Sequence, residues 1–101
     1  MVAPRFTNQD AEIAAFCRRW MVRELALFGS VLRDDFRPDS DVDVLVDFQP
    51  DAPWSYWEWP QMTDELESIF GRRVDLIDAA GLKNPFRRKA IFETRRVMYA
   101  A

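Results

Sequence analysis

The chain has 101 residues, 49% of them hydrophobic, with four Trp and eight Phe, which is enough for one domain with a small core and leaves little room for a second substrate-binding lobe. A formal net charge of -3 argues against a whole-surface nucleic-acid binder; the absence of His removes histidine general bases, Ser-His-Asp triads and the usual zinc sites; and the single Cys17 excludes an internal disulfide framework. No apolar run approaches membrane-spanning length and the opening Met1-Val2-Ala3-Pro4-Arg5 does not read as a signal peptide, so the expectation is a cytoplasmic protein formed of a single domain over residues 1–101.

Along the chain, Thr7 or Asn8 can cap a first helix, and Asp10 and Glu12 suit its positive end. Ile13, Phe16, Cys17 and Trp20 recur at helical spacing and form one buried stripe, which makes Cys17 a structural thiol. Glu24–Phe28 reads as a short strand running into the turn Gly29-Ser30, and Val31–Asp35 as a short helix. Pro38-Asp39-Ser40 are loop residues. Asp41–Phe48 is the clearest strand: Val42, Val44, Val46 and Phe48 face one side, Asp41, Asp43, Leu45 and Asp47 the other.

A loop follows, and then a helix with Pro60 in its first turn, an inner stripe of Met62, Leu66, Ile69 and Phe70, and Gly71 at its end. Arg73–Ile77 is a further strand, Asn84 caps a helix opened by Pro85, and Arg96–Tyr99 is a last short strand. Helices thus alternate with strands, which predicts an α/β (α+β) fold: a small mixed sheet of about four strands with helices packed on one face.

Chemistry concentrates in two places. Glycine lets backbone approach phosphate oxygens because no Cβ intervenes, and a helix opening at Ser30 would aim free N–H groups at an anion. Asp41 and Asp43 then project from one strand face, about 7 Å apart at their Cα atoms, a spacing that suits shared coordination of a divalent ion. Mg²⁺ is the natural choice, since it prefers hard oxygen ligands and takes its remaining ones from substrate phosphates. Asp75 shares the outward face of its strand with Arg73 and Ile77, and joins the acidic pair if that strand lies beside Asp41–Phe48. Asp47, at the far end, and Asp78, past the end of its strand, read as loop-capping or solvated acids.

Gly29-Ser30, ten intervening residues, Asp41-Val42-Asp43 and a later Asp75 resemble the signature of the DNA polymerase beta-like nucleotidyltransferase superfamily. The short length and the run Phe28-Gly29-Ser30-Val31-Leu32-Arg33 before Ser40-Asp41-Val42-Asp43 are similar to the minimal nucleotidyltransferases, or MNT proteins, over about Phe16 to Tyr99. The chain departs from the common MNT pattern after Arg33, where Asp34 stands in place of a frequent glycine; that change alters loop shape and not chemistry. The resemblance implies a nucleotidyltransferase fold in which Gly29 and Ser30 hold the triphosphate of ATP, Asp41 and Asp43 hold two Mg²⁺ ions, and Asp75 joins the metal site and helps activate an acceptor hydroxyl. Arg33 either touches a phosphate or stands on the surface of its helix.

MNT proteins are commonly paired with a HEPN-domain protein as a toxin–antitoxin system. The resemblance therefore implies transfer of AMP to a tyrosine of a HEPN toxin partner, while direct nucleic-acid binding and membrane association are not expected. Two other readings stay open: a module that neutralises its partner sterically, and a transferase acting on a small hydroxyl compound. The cluster Trp54, Tyr56, Trp57 and Trp59 is either ordinary core packing or an interface anchor. The basic tail, Arg87-Arg88-Lys89 with Arg95-Arg96, is either a solvated helix face or a contact for phosphate or an acidic partner. The oligomeric state, homo- or hetero-, is left open.

Overall fold

The structure is a computed structural model in which residues 10–29, 41–55 and 57–101 are described. The Thr7/Asn8 cap, Ser30, the Val31–Asp35 helix with Arg33, the 38–40 loop and Tyr56 lie outside the described residues.

Helix α1 spans Asp10–Arg19, strand β1 Val22–Phe28 and strand β2 Val42–Phe48. Helix α2 spans Trp59–Phe70 and strand β3 Val74–Asp78, and a 3₁₀ turn follows at Ala79–Gly81. Helix α3 (Pro85–Thr94) and strand β4 (Arg96–Ala100) complete the order. Among the described residues the strands form one mixed sheet, ordered β3-β2-β1-β4. β1 is antiparallel to both β2 and β4, whereas β2 and β3, joined through α2, run parallel.

The local chemistry explains the boundaries. Asn84 caps α3, its side chain accepting hydrogen bonds from the N–H groups of Phe86 and Arg87 at 2.9 and 3.2 Å, with Pro85 in the first turn, where its missing N–H costs nothing. Pro60 stands likewise in the first turn of α2, and Gly71 closes that helix in the left-handed conformation at φ 69°. Glu67 then ties the helix end to β3 by accepting from the N–H of Val74 at 3.0 Å. Between α1 and β1 the chain reverses without a glycine: Met21 adopts φ 57°, and its carbonyl accepts from the N–H of Gln49 at 2.8 Å.

Alternation along the strands divides the interior in two. On one face Leu25, Leu27, Val42, Val44, Val46, Val74 and Leu76 pack against Ile13, Phe16 and Cys17 of α1 and Met62, Leu66 and Phe70 of α2. Completely burying an aliphatic or aromatic side chain of this kind contributes roughly 1.5–3 kcal/mol, so this layer carries most of the stability. The expectation of helices on one face describes α1 and α2. α3 adds a smaller cluster on the other face, where Ile91 closes over Phe28, Leu45, Ala79 and Leu82. Leu45, the apolar residue in the outward row of β2, gives α3 that foothold, and Glu24 of β1 holds Arg95 just beyond α3 at 2.7 Å.

The aromatic cluster splits. The Trp54 indole N–H donates to the Trp20 carbonyl at 2.6 Å, with the two rings edge-to-face at 5.0 Å between centroids. Trp59 meets Phe48 at 6.2 Å, so both residues belong to the edge of the core. Glu65 of α2 completes this corner, accepting from the Trp20 indole N–H at 3.0 Å and pairing with Arg19. Trp57, by contrast, is 84% exposed.

Candidate active site: a glycine turn against paired carboxylates

β1 delivers Gly29 to the acidic face. Phe28 is the register partner of Asp43, so the residue after it arrives beside the Asp43 side chain. Gly29 turns there with φ +75°, and a Cβ built on it would stand 2.2 Å from Asp43 Oδ2. Glycine is thus required twice, by the backbone conformation and by the carboxylate that fills the space where a side chain would be.

β2 and β3 deliver the acids. Their parallel register pairs Val42 with Val74 and Asp43 with Asp75. Register partners on adjacent strands point to the same face, so two carboxylates stand side by side on strands about 4.8 Å apart. Asp43 is half-buried and Asp75 exposed. Asp41, one pleat earlier, falls on the same face and is paired with Arg73, whose Nε lies 3.2 Å from Asp41 Oδ1.

Among the described residues, no three His, Cys, Asp or Glu side chains already converge as a metal-binding group. The donors that share the face are nonetheless of one kind, carboxylate oxygens, the hard class that suits a dication such as Mg²⁺. The thiol of Cys17 is buried among the core residues on the other side of the sheet, where desolvation pushes its pKa up to about 12.

Asp47 and Asp78 stand apart from the trio. Asp47 accepts from Arg23 at 2.7 Å; that hydrogen bond, and the charge behind it, raise the Arg23 pKa above its ordinary value. Asp78 caps the 3₁₀ turn, Oδ1 accepting from the N–H of Ala80 at 3.0 Å. Of the basic tail, Arg88 donates to the Ala79 carbonyl at 2.9 Å, and the guanidinium groups of Arg88 and Arg95 each lie 4.7 Å from the centre of the Phe92 ring. These two cations hold α3 and β4 in place and are not a free anion-binding face. A cleft of about 840 Å³ lies at the far ends of β2 and β3, lined by Phe48, Trp54, Trp59, Leu82 and Arg87 among others. None of Gly29, Asp41, Asp43 or Asp75 lines it, so its position does not bear on the carboxylate chemistry.

One member of this face escaped the sequence analysis: Arg73, as counter-ion to Asp41. The available signal was its position two residues before Asp75, hence on the same side of the strand; what was missing was the register that sets it against Asp41.

Comparison with known proteins identifies the family. Residues 12–98 match the family model described as a nucleotidyltransferase domain. The protein adenylyltransferase MntA of Thermococcus cleftensis is 38% identical over 81 residues, covering 80% of this chain and 77% of that one. A provisionally named protein adenylyltransferase of Methanocaldococcus jannaschii is 36% identical over 75 residues, 74% of this chain and 75% of its own. A provisionally named minimal nucleotidyltransferase of known structure superposes with a TM-score of 0.75 at 27% identity, over 94% of each chain. The fold also recurs at 17% identity in a toxin–antitoxin crystal structure with AMP-PNP, with a TM-score of 0.72 over 91% of this chain and 73% of that one. It recurs again at 16% identity in tri-AMPylated Shewanella oneidensis HEPN toxin in complex with MNT antitoxin, with a TM-score of 0.65 over 93% and 71% of the two chains. With the glycine turn, the paired acids and a match spanning most of its length, the chain belongs to the nucleotidyltransferase domain family.

Proposed function

We propose that this protein transfers AMP from ATP to a tyrosine hydroxyl of a HEPN toxin partner in a Mg²⁺-dependent reaction, and so acts as an antitoxin. The observation that carries the reading is the pairing of Asp43 with Asp75 directly beside the left-handed Gly29. The relatives named protein adenylyltransferases support AMP as the group transferred. The fold neighbours seen with AMP-PNP, and with an AMPylated HEPN toxin, support the nucleotide and the class of partner.

In this reading Gly29 and Ser30 receive the triphosphate, and Arg33 contacts one of its phosphates. Asp41 and Asp43 are the residues that would hold two Mg²⁺ ions, with Asp75 beside them. Held by these residues, Mg²⁺ would supply positive charge to a transferring phosphoryl group. Asp75 orients the acceptor hydroxyl and takes up its proton, a role that suits a solvent-facing carboxylate. The tyrosine oxygen forms a bond to the α-phosphorus, the bond from that phosphorus to the bridging oxygen breaks, and pyrophosphate leaves.

The test is incubation of the purified protein with α-labelled ATP, Mg²⁺ and a co-purified HEPN partner, followed by mass spectrometry of the partner. Label on a partner tyrosine is the expected result. Neutralisation of the partner that persists undiminished in an Asp41→Asn/Asp43→Asn variant would establish steric inhibition instead.

A further inference from the structure

Resting on the reading above, we propose that Arg73 is an exchangeable counter-ion in the carboxylate site: it neutralises Asp41 before a dication binds, and is released to the nucleotide's phosphates when one does.

The placement follows from the sheet. The N–H of Val42 donates to the Arg73 carbonyl at 2.9 Å, continuing the register that pairs Val42 with Val74, so Asp41 lies opposite Arg73. Alternation puts the Arg73 side chain on the face of Asp75. One nitrogen makes the ion pair, Nε to Asp41 Oδ1 at 3.2 Å, and the side chains are 80% and 49% exposed. An exposed pair of this kind is worth about 0.2–1 kcal/mol, too little to hold the fold together and weak enough to be displaced.

The contrast with other arginines is instructive. Arg95 is fixed by Glu24, the Phe92 carbonyl and the Phe92 ring, and Arg88 by the Ala79 carbonyl and the same ring. Arg73 is held by a carboxylate of the candidate site itself. A dication seeking Asp41 must compete with it, and once displaced, its guanidinium stands on the same face as the phosphates it is built to bind through two parallel N–H donors. Metal and nucleotide binding are then coupled through one side chain, and each ligand favours the other.

The experiment compares wild type with Arg73→Gln, both checked by circular dichroism. Mn²⁺ binding is followed by electron paramagnetic resonance, and AMP-PNP binding in the presence of Mn²⁺ by calorimetry. Without its competitor, Arg73→Gln is expected to bind Mn²⁺ alone about 2–5-fold more tightly, the equivalent of the exposed pair. It is expected to bind Mn²⁺ with AMP-PNP roughly tenfold more weakly, the loss of a charged phosphate contact. A residue that only supported the fold would not move the two affinities in opposite directions. Unchanged or weaker Mn²⁺ affinity, or unchanged AMP-PNP affinity, overturns the role of Arg73 alone. Failure of the wild type to bind Mn²⁺ with AMP-PNP overturns both this role and the nucleotidyltransferase reading.

Discussion

Gly29 and Asp43 occupy each other's space: a methyl group on the glycine would fall 2.2 Å from Asp43 Oδ2, and the glycine backbone is left-handed at φ +75°. Gly29→Ala therefore imposes two penalties. The left-handed conformation costs a non-glycine residue about 1–2 kcal/mol, and relief of the clash requires the Asp43 carboxylate to swing away. Urea unfolding is expected to show that loss. AMP transfer is expected to fall by roughly 100-fold, the usual consequence of displacing a reacting-site group by about an ångström.

Asp75→Asn separates chemistry from folding. The Asp75 side chain is exposed on the less covered face, outside the main core, so the fold does not depend on its charge. The expected outcome is a stability in urea within about 0.5 kcal/mol of wild type. AMP transfer to the partner should fall by about 10²–10⁴-fold for Asp75→Asn, the range for loss of a proton acceptor. A variant that lost stability and kept activity would show Asp75 to be structural.

Burial of Cys17 makes stability fall at alkaline pH. Burial raises the thiol from 9.0 to about 12, with the nearby Arg18 charge acting weakly in the opposite direction. The unfolded chain loses this proton near pH 9 and the folded chain near pH 12, so the associated stability is complete below pH 9 and is lost as pH rises from there to about 12. The loss proceeds at no more than about 1.4 kcal/mol per pH unit. Urea titrations at pH 8 and above should show a steeper decline in wild type than in Cys17→Ala, which lacks the group.

The two kinds of tryptophan should respond differently. Trp54→Ala removes a ring packed on Trp20 and a hydrogen bond to its carbonyl, and is expected to cost about 2 kcal/mol or more in thermal or urea unfolding. Trp57, 84% exposed, should change stability by less than about 0.5 kcal/mol when replaced by Ala. A drop in affinity for a HEPN partner in Trp57→Ala, at unchanged stability, would mark Trp57 as an interface anchor.

What the sequence determined by itself was local. The period-two alternation of Asp41–Phe48 assigned its valines to the core and its acids to the outer row. Asn84-Pro85, Pro60 and Gly71 marked helix ends because capping and left-handed turns are matters of a few consecutive residues. The left-handed Met21 left no such mark, since a tight helix-to-strand connection imposed a conformation that its own side chain disfavours.

Alternation also says which face a residue takes, and never which residue lies beside it on the next strand. The parallel register of β2 and β3 decided that Asp43 meets Asp75 and that Arg73 meets Asp41. The antiparallel register of β1 likewise brought Gly29 against Asp43, and the same face gave Asp47 to Arg23 and Leu45 to α3. Such pairings depend on contacts between segments far apart in the chain, and those exist only once the hydrophobic layers have closed.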